Sequence, residues 1–198
     1  MRTKTFSYLP FLFLAFRLVH PGSASAQPLD FFQEKIEVAV QGDFCLLNGI
    51  YYFKNGGSVP FEQSIYYPFI VNDSLPFPDS IAVQEMGANR SVEYASTEKG
   101  VTFVIHIPPR AVGIYQVSYR QRTRFNYMEY VLTSTADWNK ALDVAEYRVR
   151  IPQGYQMTQL SLPGAKREKL SGESIYYLRK EHYMPLANLI VRWQRSTQ

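Results

Sequence analysis

Apolar and polar residues alternate with a period of two along most of this chain, which is the pattern of β-strands with one buried face. Three strands are predicted most clearly, with buried faces formed by Ile36, Val38 and Val40, by Val101, Phe103, Ile105 and Ile107, and by Ala145, Tyr147, Val149 and Ile151. Shorter strands are predicted at residues 44–53, 62–70, 79–85, 91–96, 156–162, 173–179 and 187–194. A helical period extends over a single turn at most, at residues 134–141, which Ser134 or Thr135 would cap.

Two of the strands can be aligned with each other. If residues 123–126 form a four-residue hairpin loop, Val117 faces Leu132 and Arg120 faces Glu129. This register places polar residues on one face and apolar residues on the other, and a slip of one residue would mix them. The sequence therefore predicts a hairpin around residues 123–126.

About ten to twelve strands without intervening helices predict an all-β fold, an antiparallel β-sandwich. An immunoglobulin-like architecture is one form of such a sandwich, although the Cys…Trp…Cys signature of true immunoglobulin domains is absent. Residues 27–198 are expected to form one β-sandwich domain or two closely packed β subdomains.

The N-terminal residues 1–26 have the features of a secretory signal peptide. Arg2 and Lys4 precede a short apolar stretch at residues 8–16, and small residues lead up to Ala26. We expect cleavage between Ala26 and Gln27 and export to the periplasm or the medium. No run of apolar residues is long enough for a transmembrane helix.

Residues 129–152, EYVLTSTADWNKALDVAEYRVRIP, contain a Tyr-x-Leu-Thr strand, a tryptophan and a second strand that ends in proline. This segment resembles a stretch of exported bacterial β-sandwich proteins of unknown function. The resemblance implies a bacterial, exported β-protein and carries no activity with it.

The charge balance changes when the predicted leader is removed. Three of the 21 basic residues lie in the leader, which leaves 18 against 17 acidic residues. The mature chain is therefore almost neutral, and we expect no nucleic-acid partner. Cys45 is the only cysteine and lies in an apolar run, so we predict a buried, unreactive thiol and no disulfide within the chain.

Motifs for catalysis and for metal binding are absent from the sequence. It has no zinc-ligand spacing, nucleophile elbow, phosphate-binding loop or calcium loop, so we expect no cofactor, no metal and no enzymatic activity. An enzymatic alternative would need Glu or Asp residues to converge in a cleft with His106. A pair of carboxylates for glycoside hydrolysis is recognised by the distance between them, which depends on the tertiary structure.

Two surface features are candidates for binding. Alternate arginines on predicted strands share a face and could hold anionic groups; the candidates are Arg120, Arg122, Arg124, Arg148 and Arg150. Adjacent tyrosines force one ring outward in each pair, and the candidates for an aromatic patch are Tyr51, Tyr52, Tyr66 and Tyr67.

The leading hypothesis is an exported, non-enzymatic interaction or structural protein of the cell envelope, with another envelope protein as its partner. The alternative is a module that binds carbohydrate or an anionic polymer of the surface. An ordinary solvated sheet face would explain the same arginines.

Overall fold

The computed structural model describes residues 29–196, and fourteen strands account for most of them. The strands are β1 (Asp30–Gln41), β2 (Phe44–Lys54), β3 (Phe61–Pro68), β4 (Asp79–Glu85), β5 (Arg90–Ser91), β6 (Tyr94–Ser96), β7 (Gly100–Ile107), β8 (Val112–Arg122), β9 (Tyr127–Tyr130), β10 (Leu142–Pro152), β11 (Tyr155–Leu160), β12 (Lys166–Leu170), β13 (Glu173–Tyr183) and β14 (Leu189–Arg195). A short 3-10 helix (Thr133–Trp138) follows β9. The predicted signal peptide and its cleavage point lie outside the described residues.

The strands form one large and two small sheets. The large sheet has eight strands in the order β12-β13-β10-β1-β2-β8-β4-β5, and the small sheets have the orders β11-β14-β9 and β3-β7-β6. Buried side chains of all three sheets belong to one hydrophobic cluster, so the small sheets pack on one face of the large sheet. The predicted all-β sandwich is confirmed.

The centre of the large sheet departs from a purely antiparallel arrangement. Strand β1 pairs with β2 antiparallel but with β10 parallel, so that Val38 lies opposite both Leu47 and Val149. A parallel pair needs a long connection between its strands, and the chain from β2 to the 3-10 helix provides it. Local alternation does not contain this information.

The buried faces follow the predicted alternation closely. Val38, Val101 and Tyr147 are fully buried, whereas His106 and Arg148 are exposed on the opposite faces of their strands. Cys45 is also fully buried, as predicted, and burial raises the pKa of its thiol.

The predicted hairpin is wrong. Strand β8 pairs with β2 and β4, whereas β9 pairs with β14 in a small sheet. The loop between them crosses from one layer to the other, held by backbone hydrogen bonds from Thr123 to Asp43 (2.8 Å) and from Arg124 to Ser74 (2.9 Å). Val117 and Leu132 are both buried as predicted, but Val117 lies in the large sheet, whereas Leu132 follows β9 and is the N-cap of the 3-10 helix.

Strand β1 contains an irregularity that shapes the interior. Its register with β2 shifts between Phe31 and Gln33, so Phe32 is an extra residue. Phe31 and Glu34 are both buried although they are three residues apart. A regular strand would have placed them on opposite faces.

Two further details differ from the sequence-based expectation. The basic segment around Arg167 forms a fully exposed edge strand, β12, which was not predicted. The predicted helical turn is a 3-10 helix whose N-cap is Leu132, with no side-chain cap from Ser134 or Thr135. Between residues 29 and 196, no helix has the length and apolar character needed to cross a membrane.

Candidate ligand-binding pocket

Arg120 and Arg122 share the outward face of β8, as predicted. Both guanidinium groups lie over the ring of Phe44, at 4.8 Å and 5.3 Å from its centroid. Arg120 also donates two hydrogen bonds to the carboxylate of Asp79, at 2.7 Å and 3.1 Å. This contact lowers the pKa of Asp79. Arg120 is therefore already paired with an acid, and Arg124 lies exposed in the loop that follows.

The second arginine pair lies elsewhere on the same face. Two strands, β1 and β2, separate β10 from β8. Arg148 contacts Glu37 at 3.5 Å, and Arg150 contacts both Glu37 at 3.3 Å and Glu173 at 2.9 Å. The five candidate arginines therefore do not form one cationic site, because acids separate and pair three of them.

The predicted tyrosine patch does not form. Tyr51 and Tyr67 point into the core and are only 7% exposed. Of the outward partners, Tyr66 is exposed and Tyr52 half-buried, and they lie on β3 and β2, in different sheets. The physical reason is that β2 and β3 belong to opposite layers, so the inward rings meet instead of the outward ones.

The inward tyrosines form a hydrogen-bonded cluster with a third residue. The Tyr51 hydroxyl lies 2.8 Å from that of Tyr67 and 2.7 Å from that of Tyr130, and the last two are 3.4 Å apart. Burial raises the pKa of all three well above the ordinary value, so they remain neutral donors and acceptors. The cluster joins the large sheet to both small sheets.

A cavity of about 280 Å³ lies above this cluster, between the edge strands β3 and β9 of the two small sheets. Residues 63–68 of β3 form one side of the cavity, and Tyr130, Val131 and the 3-10 helix form the other. Within the described part of the chain, these two edge strands pair with no further strand on this side. The cavity is therefore a gap in the second layer of the sandwich.

Glu34 lines the same cavity from the large sheet. It is 3% exposed, and its Oε1 accepts a hydrogen bond of 2.6 Å from the Tyr147 hydroxyl. Burial raises the pKa of Glu34 from an ordinary 4.5 to about 7, although the hydrogen bond from Tyr147 acts in the opposite direction. The carboxyl group can therefore gain or lose a proton near neutral pH.

Aromatic rings form an apolar wall of the cavity. The centroids of Phe31 and Phe53 are 5.2 Å apart, and the Trp138 ring lies 5.5 Å from each of them. These rings are tilted against one another, the arrangement that aromatic groups prefer over face-to-face stacking. The cavity thus combines a polar floor with an aromatic wall.

Sequence reasoning missed Glu34 and Tyr130 as members of a site. The alternation of β1 does contain a signal, because extending the buried face back from Ile36 places Glu34 on the interior side. An acidic residue at such a position is rare unless it has a partner. The convergence of Tyr51, Tyr67 and Tyr130 has no such local signal.

Side chains that could bind a metal or act with His106 do not converge in the described part of the chain. In residues 29–196, no three or more His, Cys, Asp or Glu residues lie close enough to hold a metal ion. His106 lies on the outward face of β7, where its Nδ1 is 3.2 Å from Glu62. It lies outside the set of residues that line the Glu34 cavity.

The fold and the cavity define a mixed β-sandwich with an internal pocket. No family model matches the chain, and no curated protein matches it. Solved structures do: a candidate nutrient-binding protein from Legionella pneumophila superposes with a TM-score of 0.69 over 83% of this chain and 66% of its own, at 15% identity. An M1 zinc metallopeptidase from Deinococcus radiodurans superposes with a TM-score of 0.51 over 83% of this chain, at 12% identity.

These similarities establish the fold alone, since identity is low. The chain spans 66% of the length of the Legionella protein and 42% of the length of the metallopeptidase. Each matched protein therefore contains a substantial part without a counterpart in this alignment.

Proposed function

We propose that this chain is a non-enzymatic binding protein that holds a small organic molecule in the cavity between β3 and β9. One observation carries the proposal: the Glu34 carboxyl and three tyrosine hydroxyls converge at the floor of a cavity walled by aromatic rings. Ligand pockets have this composition, with an apolar lining and a few placed polar groups. The volume of about 280 Å³ is close to the lower end of the usual range.

Binding is favoured over catalysis by the residues around the cavity. The enzymatic alternative required acids to converge with His106, which instead pairs with Glu62 on the outer side of β7. The lining residues among positions 29–196 include no histidine, cysteine or lysine.

The proposed site lies in the interior of the sandwich and not on its outward face. The arginines of the outward face support binding of an anionic polymer less well, because Arg120, Arg148 and Arg150 are paired with acids. We still predict a partner in the cell envelope, either a protein or a surface glycan. Export through the N-terminal leader is part of the proposal, and the nutrient-binding role suggested for the Legionella protein is compatible with it.

The test uses a matched pair of substitutions on β3. Gln63 lies opposite the buried Ile105 and lines the cavity, whereas the neighbouring Glu62 lies opposite His106 on the outer side. Gln63→Trp should fill the mouth of the cavity, and Glu62→Trp should leave it open.

A fragment library is screened against the wild-type protein by ligand-observed NMR, and the hits are measured by calorimetry. We expect hits that bind the wild type and Glu62→Trp equally and lose at least tenfold in affinity to Gln63→Trp, about 1.4 kcal/mol. An absence of hits, or hits that are unaffected by Gln63→Trp, would refute the proposal. Thermal denaturation of both variants checks that they fold.

A further inference from the structure

The charges around the cavity are of one sign. Among the residues that the structure describes, its lining contains two acids, Glu34 in the floor and Asp137 at the exposed end of the 3-10 helix, and no lysine, arginine or histidine. Lys140, which lies near in sequence, is held by Asp30 at 2.8 Å and Asp143 at 3.5 Å. An anionic ligand would find no countercharge among the described lining residues.

Only one of the two carboxyl oxygens of Glu34 has a hydrogen-bond partner among the described residues. Oε1 accepts from Tyr147, whereas Oε2 has no hydrogen-bond partner among the described residues. Glu34 lines the cavity, so a donor from a ligand could meet its carboxyl group there.

The aromatic wall favours the same kind of ligand. Phe31, Phe53 and Trp138 carry negative electrostatic potential on their ring faces, which attracts cations that lie over them. The tyrosine hydroxyls of the floor add acceptor lone pairs. A positively charged donor would contact favourable groups on the floor and on the wall.

We infer that the ligand is an organic ammonium ion, with its charged group against Glu34 and the tyrosine hydroxyls and an apolar body along the aromatic wall. This inference rests on the proposed binding function and specifies its ligand class. A neutral alcohol would satisfy the hydroxyls but would leave the Glu34 charge uncompensated. A carboxylate would be repelled by both acids.

The protonation of Glu34 couples this binding to pH. The groups that face it are Tyr51 of β2, Tyr67 of β3, Tyr130 of β9, Tyr147 of β10, Tyr183 of β13 and Asp137 at the cavity mouth. The tyrosines stay neutral between pH 6 and pH 8, since burial raises the pKa of each hydroxyl group. An alkylammonium, with a pKa near ~10.4 as in lysine, stays charged. Affinity should therefore rise as Glu34 ionises.

The experiment compares three single-ring compounds that differ in charge: 2-phenylethylammonium, 2-phenylethanol and 3-phenylpropionate. Calorimetry at pH 8 should show the ammonium compound binding about tenfold or more tightly than the alcohol, and no binding of the carboxylate. Because Glu34 titrates near 7, the affinity for the ammonium compound should fall about tenfold from pH 8 to pH 6. Proton release on binding should be measurable at pH 7.

Two variants test whether Glu34 causes the preference for the ammonium compound. Glu34→Gln should remove both the preference for the ammonium compound over the alcohol and the pH dependence of that preference. Glu37→Gln is the matched control, since Glu37 lies on the same strand but on the outward face with Arg148 and Arg150. It should bind all three compounds as the wild type does.

The outcomes separate this inference from the proposed function. Equal binding of the alcohol and the ammonium compound, or preference for the carboxylate, would overturn the ligand class while the pocket stands. Retention of the ammonium preference in Glu34→Gln would overturn the role of Glu34. If no compound of the three or of the fragment library binds, both the pocket and its ligand class are refuted.

Discussion

The buried carboxyl of Glu34 should make the stability of the protein depend on pH in an unusual direction. Its pKa is about 7 in the folded protein and near 4.5 when exposed. Between these values the folded state holds a proton that the unfolded state has released, so the free energy of unfolding falls as pH rises. At about 1.4 kcal/mol per pKa unit, the loss amounts to about 3 kcal/mol and is complete above neutral pH.

Glu34→Gln isolates this effect from the rest of the chain. The amide resembles the protonated carboxyl in shape and still accepts a hydrogen bond from Tyr147, so both proteins should be about equally stable near pH 4.5. At pH 8 the variant should be the more stable protein by about 3 kcal/mol, because it has no buried charge.

Denaturant unfolding at half-unit steps from pH 4.5 to pH 8 measures the difference directly. Glu37→Gln serves as the control, since it removes a half-exposed carboxylate on the same strand and leaves Glu34 in place. A difference between the wild type and Glu34→Gln that is constant with pH would refute the reasoning. So would a wild type that is more stable than the variant at pH 8.

Three further predictions follow from the packing and the surface. Gly49→Ala should lower the free energy of unfolding by roughly 2–4 kcal/mol, because a Cβ at this position would collide with the hydroxyl group of Tyr51. Unchanged denaturation would show that the Tyr51 ring moves freely. Leu132→Ala should cost ~2–4 kcal/mol as a buried residue, whereas Ser118→Ala on the outward face should change little, and equal effects would contradict the assigned faces. Arg120→Glu combined with Arg122→Glu should shift elution from an anionic glycan column no more than Lys166→Glu combined with Lys169→Glu, the same change in net charge on exposed β12, since Arg120 already pairs with Asp79; a larger shift for the arginine variant would restore the surface stripe as a binding site.

The buried faces of individual strands could be predicted from the sequence. On β7 and β10, every residue that alternation placed inward is buried, from Val101 to Ile107 and from Ala145 to Ile151. The reason is that side chains on a strand alternate between two faces, so burial of one face leaves a direct trace in the sequence. The same rule, extended by one step on β1, identifies Glu34 as an interior residue.

The pairing of strands could not be predicted in the same way. Val117 and Leu132 have the apolar character that a hairpin would need, yet β8 and β9 lie in different layers. Two inward faces satisfy the hydrophobic pattern equally well side by side in one sheet or opposite each other across the core. Hydrogen bonds from the loop to Asp43 and Ser74 belong to distant parts of the chain and leave no local signal.

The sequence by itself determined the all-β class, the interior and exterior residues of the clearest strands and the burial of Cys45, because each of these depends on local composition and period. Only the tertiary structure decided that Tyr51, Tyr67 and Tyr130 meet, and that the Phe32 bulge turns Phe31 and Glu34 into the same cavity. The hydroxyls that meet lie 16 and 79 residues apart along the chain. A site assembled from three sheets depends on strand order and layer packing, which no local pattern specifies.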